Sequence, residues 1–179
     1  MRTSRQVLAL MGVATLLVAA APSSVSSPVE RQWRTARLGA RLLVPEGVAL
    51  RSEEADPSAR PGVVLEQVRL LHGGDLLVTV DLWPDPLRLG AAGAMADLLG
   101  WLLDGRSRVS LLNAGRRRMP AFLLSQPRSP QSYGRRLLLV GSGGVLARIT
   151  CEDTADARAL AAFELAAASF DGPTSAGAP

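Results

Sequence analysis

The residues in this chain with the clearest capacity for chemistry are arginines gathered in one window. Between Gly105 and Cys151 the sequence has nine arginines and no aspartate or glutamate. A guanidinium presents a planar fork of donors that binds phosphate and carboxylate groups. The residues we predict to contact an anionic partner are Arg106, Arg108, Arg116, Arg117, Arg118, Arg128, Arg135 and Arg136. The sequence leaves open the alternative that these arginines, together with Arg148, are scattered at turns or paired with acids elsewhere in the chain.

Other kinds of site find less support. His72 is the only histidine and Cys151 the only cysteine, so the usual zinc ligand set is not available. We expect His72 to be an exposed turn residue and Cys151 to point into the core at the end of a strand. No serine lies in a nucleophile elbow, and without lysine there is no phosphate-binding loop of the Walker type. We therefore predict no catalytic residue, no metal and no cofactor.

Nucleic acid is a disfavoured partner. Basic surfaces that bind single strands usually carry aromatic side chains on which bases stack. Phe122 and Tyr133 are the only aromatic residues within the basic window.

The N-terminal residues have the layout of a secretory signal peptide. Arg2 and Arg5 precede an uncharged apolar run, residues 7–20, that ends in small residues. We predict cleavage after Ala20, a secreted or periplasmic location in a bacterium and no membrane span in the mature chain. No cysteine lies near this site to carry a lipid anchor; a retained membrane anchor is the alternative. Residues 21–32 are predicted to be a flexible leader, 33–171 a single domain and 172–179 a disordered tail.

Hydrophobic periodicity predicts seven strands and two helices in that domain. The strands are expected at residues 38–44, 63–71, 76–83, 109–112, 119–125, 136–140 and 145–150, and a loop at 51–62. One helix is expected at 86–103. The other is capped by Asp153 or Thr154, with Leu160, Phe163, Ala167 and Phe170 on its apolar stripe. Hairpin-length connections favour a mostly antiparallel sheet of six to seven strands flanked by two helices, an α+β layered sandwich.

Four short segments carry a family resemblance: Val44-Pro45-Glu46-Gly47, Gly115 with Met119-Pro120-Ala121, Ile149-Thr150-Cys151-Glu152, and Ala168-Ser169-Phe170. Over residues 37–170 the chain resembles the PsbP-like superfamily. That group includes the oxygen-evolving PsbP proteins, the Ran-binding Mog proteins and bacterial DcrB-type envelope proteins. The resemblance implies an antiparallel sheet flanked by helices and a non-enzymatic binding or accessory role. It assigns no functional residue to this chain.

Three functions remain in view. The first is an accessory or binding protein of the bacterial cell envelope that contacts an anionic partner, an unknown protein or an envelope component, through its arginine-rich face. The second is an enzyme of a small anionic substrate with Asp81 or Glu66 as base, which requires a pocket joining an arginine to a carboxylate. The third is a chaperone-like or immunity-type protein that binds a protein partner through an apolar surface.

Overall fold

The computed structural model describes residues 30–54, 65–94, 107–127 and 134–173. Its strands are β1 (Arg31–Arg34), β2 (Arg41–Val44), β3 (Ala49–Glu54), β4 (Glu66–His72), β5 (Asp75–Pro84), β6 (Arg108–Ala114), β7 (Met119–Gln126), β8 (Arg135–Ser142) and β9 (Val145–Cys151). One α-helix, α1, spans Ala157–Ser169, and a 3-10 helix spans Gly90–Ala94.

Seven of these strands form one antiparallel sheet in the order β3-β4-β5-β9-β8-β7-β6, while β1 and β2 form a separate two-stranded ribbon. The predicted α+β class with a mostly antiparallel sheet is confirmed. The hairpins β4–β5 and β8–β9 turn at Gly73-Gly74 and Gly143-Gly144, and all four glycines have positive φ. Such turns match the twist of the strands they connect. Pairing of β9 with β5 then joins the two halves of the sheet.

Helix α1 covers one face of the sheet. Ala159, Ala162, Phe163 and Ala166 are buried there, and they share a core with Leu42 and Val44 of the ribbon. The predicted cap at Asp153 or Thr154 is wrong, because the side chain of Asp156 accepts from the Arg158 N–H at 2.8 Å and starts the helix. The predicted stripe is correct at Phe163 and Phe170, but Leu160 and Ala167 are only partly buried.

The opposite face of the sheet buries Trp83, Leu124 and Leu139 with Ala91 of the 3-10 helix. We expected an α-helix over 86–103, but the described residues contain a single α-helix, α1. Arg88 and Gly90 have φ of 53° and 60°, which a right-handed helix excludes. The Asp85 carboxylate accepts from the backbone N–H groups of Leu89 and Gly90 and fixes this turn. Residues 95–103 lie outside the described residues.

Several boundaries also differ from those expected. Strand β1 begins at Arg31, inside the segment predicted to be a flexible leader, and its partner β2 is shorter than the predicted strand at 38–44. Strand β3, an edge strand, occupies the start of the predicted loop at 51–62, with Arg51 exposed and Glu53 partly buried; residues 55–62 are outside the described part. Gly172, predicted to open the tail, is buried against Ser142, where an added Cβ would clash with the Ser142 carbonyl oxygen.

Candidate functional site

The predicted arginines do not form one patch. Arg108 begins β6, whereas Arg116, Arg117 and Arg118 lie in the turn after that strand. Six residue steps at a strand's rise of about 3.3 Å put the two positions about 20 Å apart. Arg106 and Arg128 lie outside the described residues. Neighbours in sequence are therefore divided between two ends of the sheet.

The cluster at the first end, Arg108, Arg135 and Arg136, has much of its charge compensated. The Nη2 of Arg135 donates to the Glu152 Oε1 at 2.7 Å. The Nη1 of Arg136 lies 3.4 Å from the Glu164 Oε1. Exposed pairs of this kind add little stability, but they occupy the guanidinium donors. The three arginines line a cavity of about 280 Å³, and two of them already have an acidic counter-ion.

Arg148, in the middle of the sheet, has a structural role. Its Nε and Nη2 donate to the Asp81 Oδ2 at 2.9 and 2.7 Å. The other oxygen of Asp81 accepts from the Gln67 Nε2 at 2.7 Å, and the Gln67 Oε1 accepts from the Arg69 Nε. A chain of hydrogen bonds thus ties three strands together across the sheet.

Glu66, the other acid considered as a base, holds a loop in place. Its carboxylate accepts from the backbone N–H groups of Ala36 and Arg37 and from the Ser52 hydroxyl. The side chain is 3% exposed. These bonds fasten the turn between β1 and β2 to the edge of the main sheet.

At the second end of the sheet, arginines from two distant parts of the chain meet the residues that follow α1. Arg41 and Asp171 exchange two backbone hydrogen bonds of 2.7 and 2.9 Å. The Arg116 N–H donates to the Phe170 carbonyl, and the Arg117 Nε lies 2.8 Å from the Asp171 Oδ1. We call Arg41, Arg116, Arg117 and Asp171 the arginine junction.

A glycine makes the close approach at this junction possible. Gly115 has a φ of +73°, and a Cβ on it would lie 2.7 Å from the Phe170 carbonyl oxygen. The turn between β6 and β7 can therefore pack its backbone directly against the end of α1. That packing places Arg116 and Arg117 beside β2.

The junction has more positive than negative charge. Asp171 is paired with Arg117, and the guanidiniums of Arg41 and Arg116 form no ion pair with any of the described residues. In the β1–β2 ribbon Arg34 lies directly opposite Arg41. Like charges at opposed positions of two strands are destabilising, so this pairing adds no stability to the ribbon.

A groove of about 450 Å³ opens at the junction between β2 and the C-terminal half of α1. Arg41 and Arg116 line it together with the apolar side chains of Leu43, Leu165 and Ala168. Gln32, Leu42, Ser169 and Asp171 complete the lining. The groove thus combines two cationic groups with a largely apolar wall.

Sequence reasoning found Arg116 and Arg117 but missed Arg41. Nothing local marks Arg41, which precedes the basic window by more than sixty residues and reaches it only through the pairing of β2 with Asp171. That Arg34 lies opposite Arg41 is likewise visible only when the register of the two strands is known.

The two residues singled out for other chemistry have ordinary environments. His72 was expected to be an exposed turn residue, but it is the last residue of β4 and partly buried; its Nδ1 lies 3.2 Å from the Gly47 carbonyl oxygen. Cys151 is fully buried, as its phase in the strand predicted. Burial raises the pKa of the Cys151 thiol above its ordinary value of 9.0, so the thiol is protonated at neutral pH.

Comparisons of the chain with models of known protein families and with curated proteins find no match. The resemblance to the PsbP-like superfamily therefore stays a prediction. Among the described residues, no helix combines the length and hydropathy needed to cross a bilayer.

Proposed function

We propose that this chain is a non-enzymatic binding protein that contacts a phosphate or carboxylate group of its partner at the arginine junction. The observation that carries the proposal is the pair Arg41 and Arg116, which line one groove and have no ion-pair partner among the described residues. Guanidinium groups in a partly enclosed setting bind anions through charge-assisted hydrogen bonds.

The roles of the buried acids favour binding over catalysis. A general base must be free to accept a proton from a bound substrate. Asp81 holds Arg148 and Gln67, and Glu66 holds two backbone N–H groups and Ser52. Asp171 lines the groove, but it is paired with Arg117. The acids that the enzyme alternative needs already have structural functions.

The setting of this function is the bacterial cell envelope, where the protein acts as an exported accessory protein after loss of residues 1–20. The basic, apolar and small-residue order of that segment supports export. Mass spectrometry of the protein recovered from the periplasm or medium should give a chain that begins at Ala21. A mature protein that retains Met1 and pellets with membranes would contradict export by cleavage.

An exposed apolar strand gives the protein-binding alternative its own support. Leu111 is 71% exposed and Val109 40% exposed on β6, an edge strand of the sheet. Edge strands with apolar side chains are potential pairing sites for another chain. Loss of partner binding in Leu111→Lys, with binding retained when Arg41 and Arg116 are changed, would favour that alternative.

Pyrophosphate binding measured by isothermal titration calorimetry tests the proposal. The double variant Arg41→Gln/Arg116→Gln should lose most of the affinity, and binding to the unmodified protein should weaken as salt rises from tens to hundreds of millimolar. The matched control is Arg108→Gln/Arg136→Gln, which removes the same charge from the other cluster and should bind nearly as well as the unmodified protein. Equal losses in both double variants would show only a general effect of net charge and would refute a site at the junction.

A further inference from the structure

The geometry of the groove points to a specific ligand class: a single-chain amphiphile with an anionic headgroup, a fatty carboxylate in its simplest form. The headgroup lies between Arg41 and Arg116, and the hydrocarbon chain lies along Leu43, Leu165 and Ala168. This inference rests on the proposed function and names the ligand of the same site.

The headgroup position follows from the two guanidiniums. Their alternative role would be to compensate the negative end of the α1 dipole. Three carbonyls at this end, however, already have other donors: Leu165 O accepts from the Ser169 hydroxyl, Ala167 O from Gly115 N and, just past the helix, Phe170 O from Arg116 N. The guanidiniums of Arg41 and Arg116 are thus not required to satisfy these three carbonyls.

The position of the ligand's hydrocarbon chain follows from the hydrogen bonds that the protein backbone already makes in the groove. The Leu43 N–H donates to the Ser169 hydroxyl at 2.9 Å, and the N–H and carbonyl of Arg41 are both bonded to Asp171. A peptide laid along these residues would leave its own polar groups unpaired, which carries a cost in free energy. A hydrocarbon chain needs no such partners and covers the partly exposed side chains of Leu43 and Leu165.

The dimensions agree with one small ligand. A volume of about 450 Å³ lies within the range of roughly 300–1,000 Å³ that is usual for small-molecule sites. The two guanidiniums favour an anionic ligand, and the apolar wall favours an anion that carries a hydrocarbon chain over an inorganic anion.

Titrations of the full-length protein with decanoate, acetate and decanol, followed by heteronuclear NMR chemical shifts, measure the contributions of the headgroup and the hydrocarbon chain to affinity. The amphiphile concentrations stay below those at which micelles form. Decanoate should bind about 100-fold more tightly than acetate, as burial of a few methylene groups requires. It should also bind at least tenfold more tightly than decanol. Arg116→Gln should reduce decanoate affinity towards that of decanol.

A variant that fills the groove provides the second test. Ala168 is exposed and lines the groove, so Ala168→Trp should fold normally and lower decanoate affinity by tenfold or more. Ala161→Trp is the matched control, because Ala161 is exposed on the same helix and does not line the groove. An equal loss of decanoate affinity in the two variants would contradict the placement of the ligand's hydrocarbon chain in the groove.

The remaining outcomes are decisive in the same way. Pyrophosphate binding at Arg41 and Arg116 without a gain from the decanoate chain overturns the amphiphile and leaves the proposed function intact. Decanol binding as tight as that of decanoate overturns the role of the headgroup. The absence of binding by either anion overturns both proposals.

Discussion

Replacement of Asp171 by asparagine should destabilise the protein and at the same time tighten anion binding. Asp171 is the acid of the arginine junction, and its side chain is 11% exposed where it meets the Arg117 Nε at 2.8 Å. The contact is an ion pair, and the Asp171 Oδ1 accepts no hydrogen bond from the described residues. Because Arg117 is 38% exposed and regains water, we expect a loss of at most about 1 kcal/mol in the free energy of unfolding.

The gain in affinity comes from removing a negative charge beside the bound anion. For a charge about 8 Å away and an effective dielectric constant of about 40, the repulsion is roughly 1 kcal/mol, or about fivefold in affinity. Few mutations of a binding site weaken the fold and strengthen the ligand together, so the combination is diagnostic.

Urea unfolding followed by circular dichroism and pyrophosphate titration measure the two effects. Asp156→Asn is the matched control, since it removes the same charge at the helix cap, where asparagine also caps well. It should change both quantities only slightly. Weaker pyrophosphate binding in Asp171→Asn, or a gain no larger than in Asp156→Asn, would refute the placement of the site.

Three further predictions concern the framework that holds the junction. Gly115→Ala should lower the free energy of unfolding, measured in urea, by about 1–3 kcal/mol, because the positive φ and the nearby Phe170 carbonyl both oppose a Cβ. Gly73→Ala is the control: Gly73 has a similar φ but open space around it, so the loss should be smaller. Asp81→Asn should lower the free energy of unfolding by about 2–3 kcal/mol, since it leaves Arg148 partly buried without its counter-ion, and an unchanged urea midpoint would contradict the structural role of this pair. The buried Cys151 thiol keeps its proton to a higher pH than the same thiol in the unfolded chain, so the free energy of unfolding should fall as pH rises above 9.0. This dependence on pH should be lost in Cys151→Ala. If it persists in the variant, Cys151 is not its cause.

The parts of the fold that the sequence predicts are those with local causes. Gly73-Gly74 and Gly143-Gly144 define hairpins because the turn residues and the alternating strands lie within a few positions of each other. The pairing of β5 with β9 has no such local signal, because sixty residues separate the two strands. The ribbon strand β1 was missed for a related reason: four residues with three exposed side chains look like part of a polar leader until β2 pairs with them.

The candidate site, too, is predictable from the sequence only in part. Composition predicts that arginines matter, but it treats nine of them as equivalent, and the structure separates them by the partners that each one meets. Arg148 is committed to Asp81, Arg135 to Glu152 and Arg117 to Asp171, whereas Arg116 joins Arg41 at a groove. That distinction depends on tertiary contacts between remote segments, which periodicity and spacing do not encode.

The most direct test of the arginine junction is an NMR titration with pyrophosphate that follows the side-chain Nε–H signals of the arginines. We predict that the signals of Arg41 and Arg116 shift together with one dissociation constant, while those of Arg108 and Arg136 shift little. Shifts of similar size at both ends of the sheet, or the largest shifts at Arg108 and Arg136, would contradict the account.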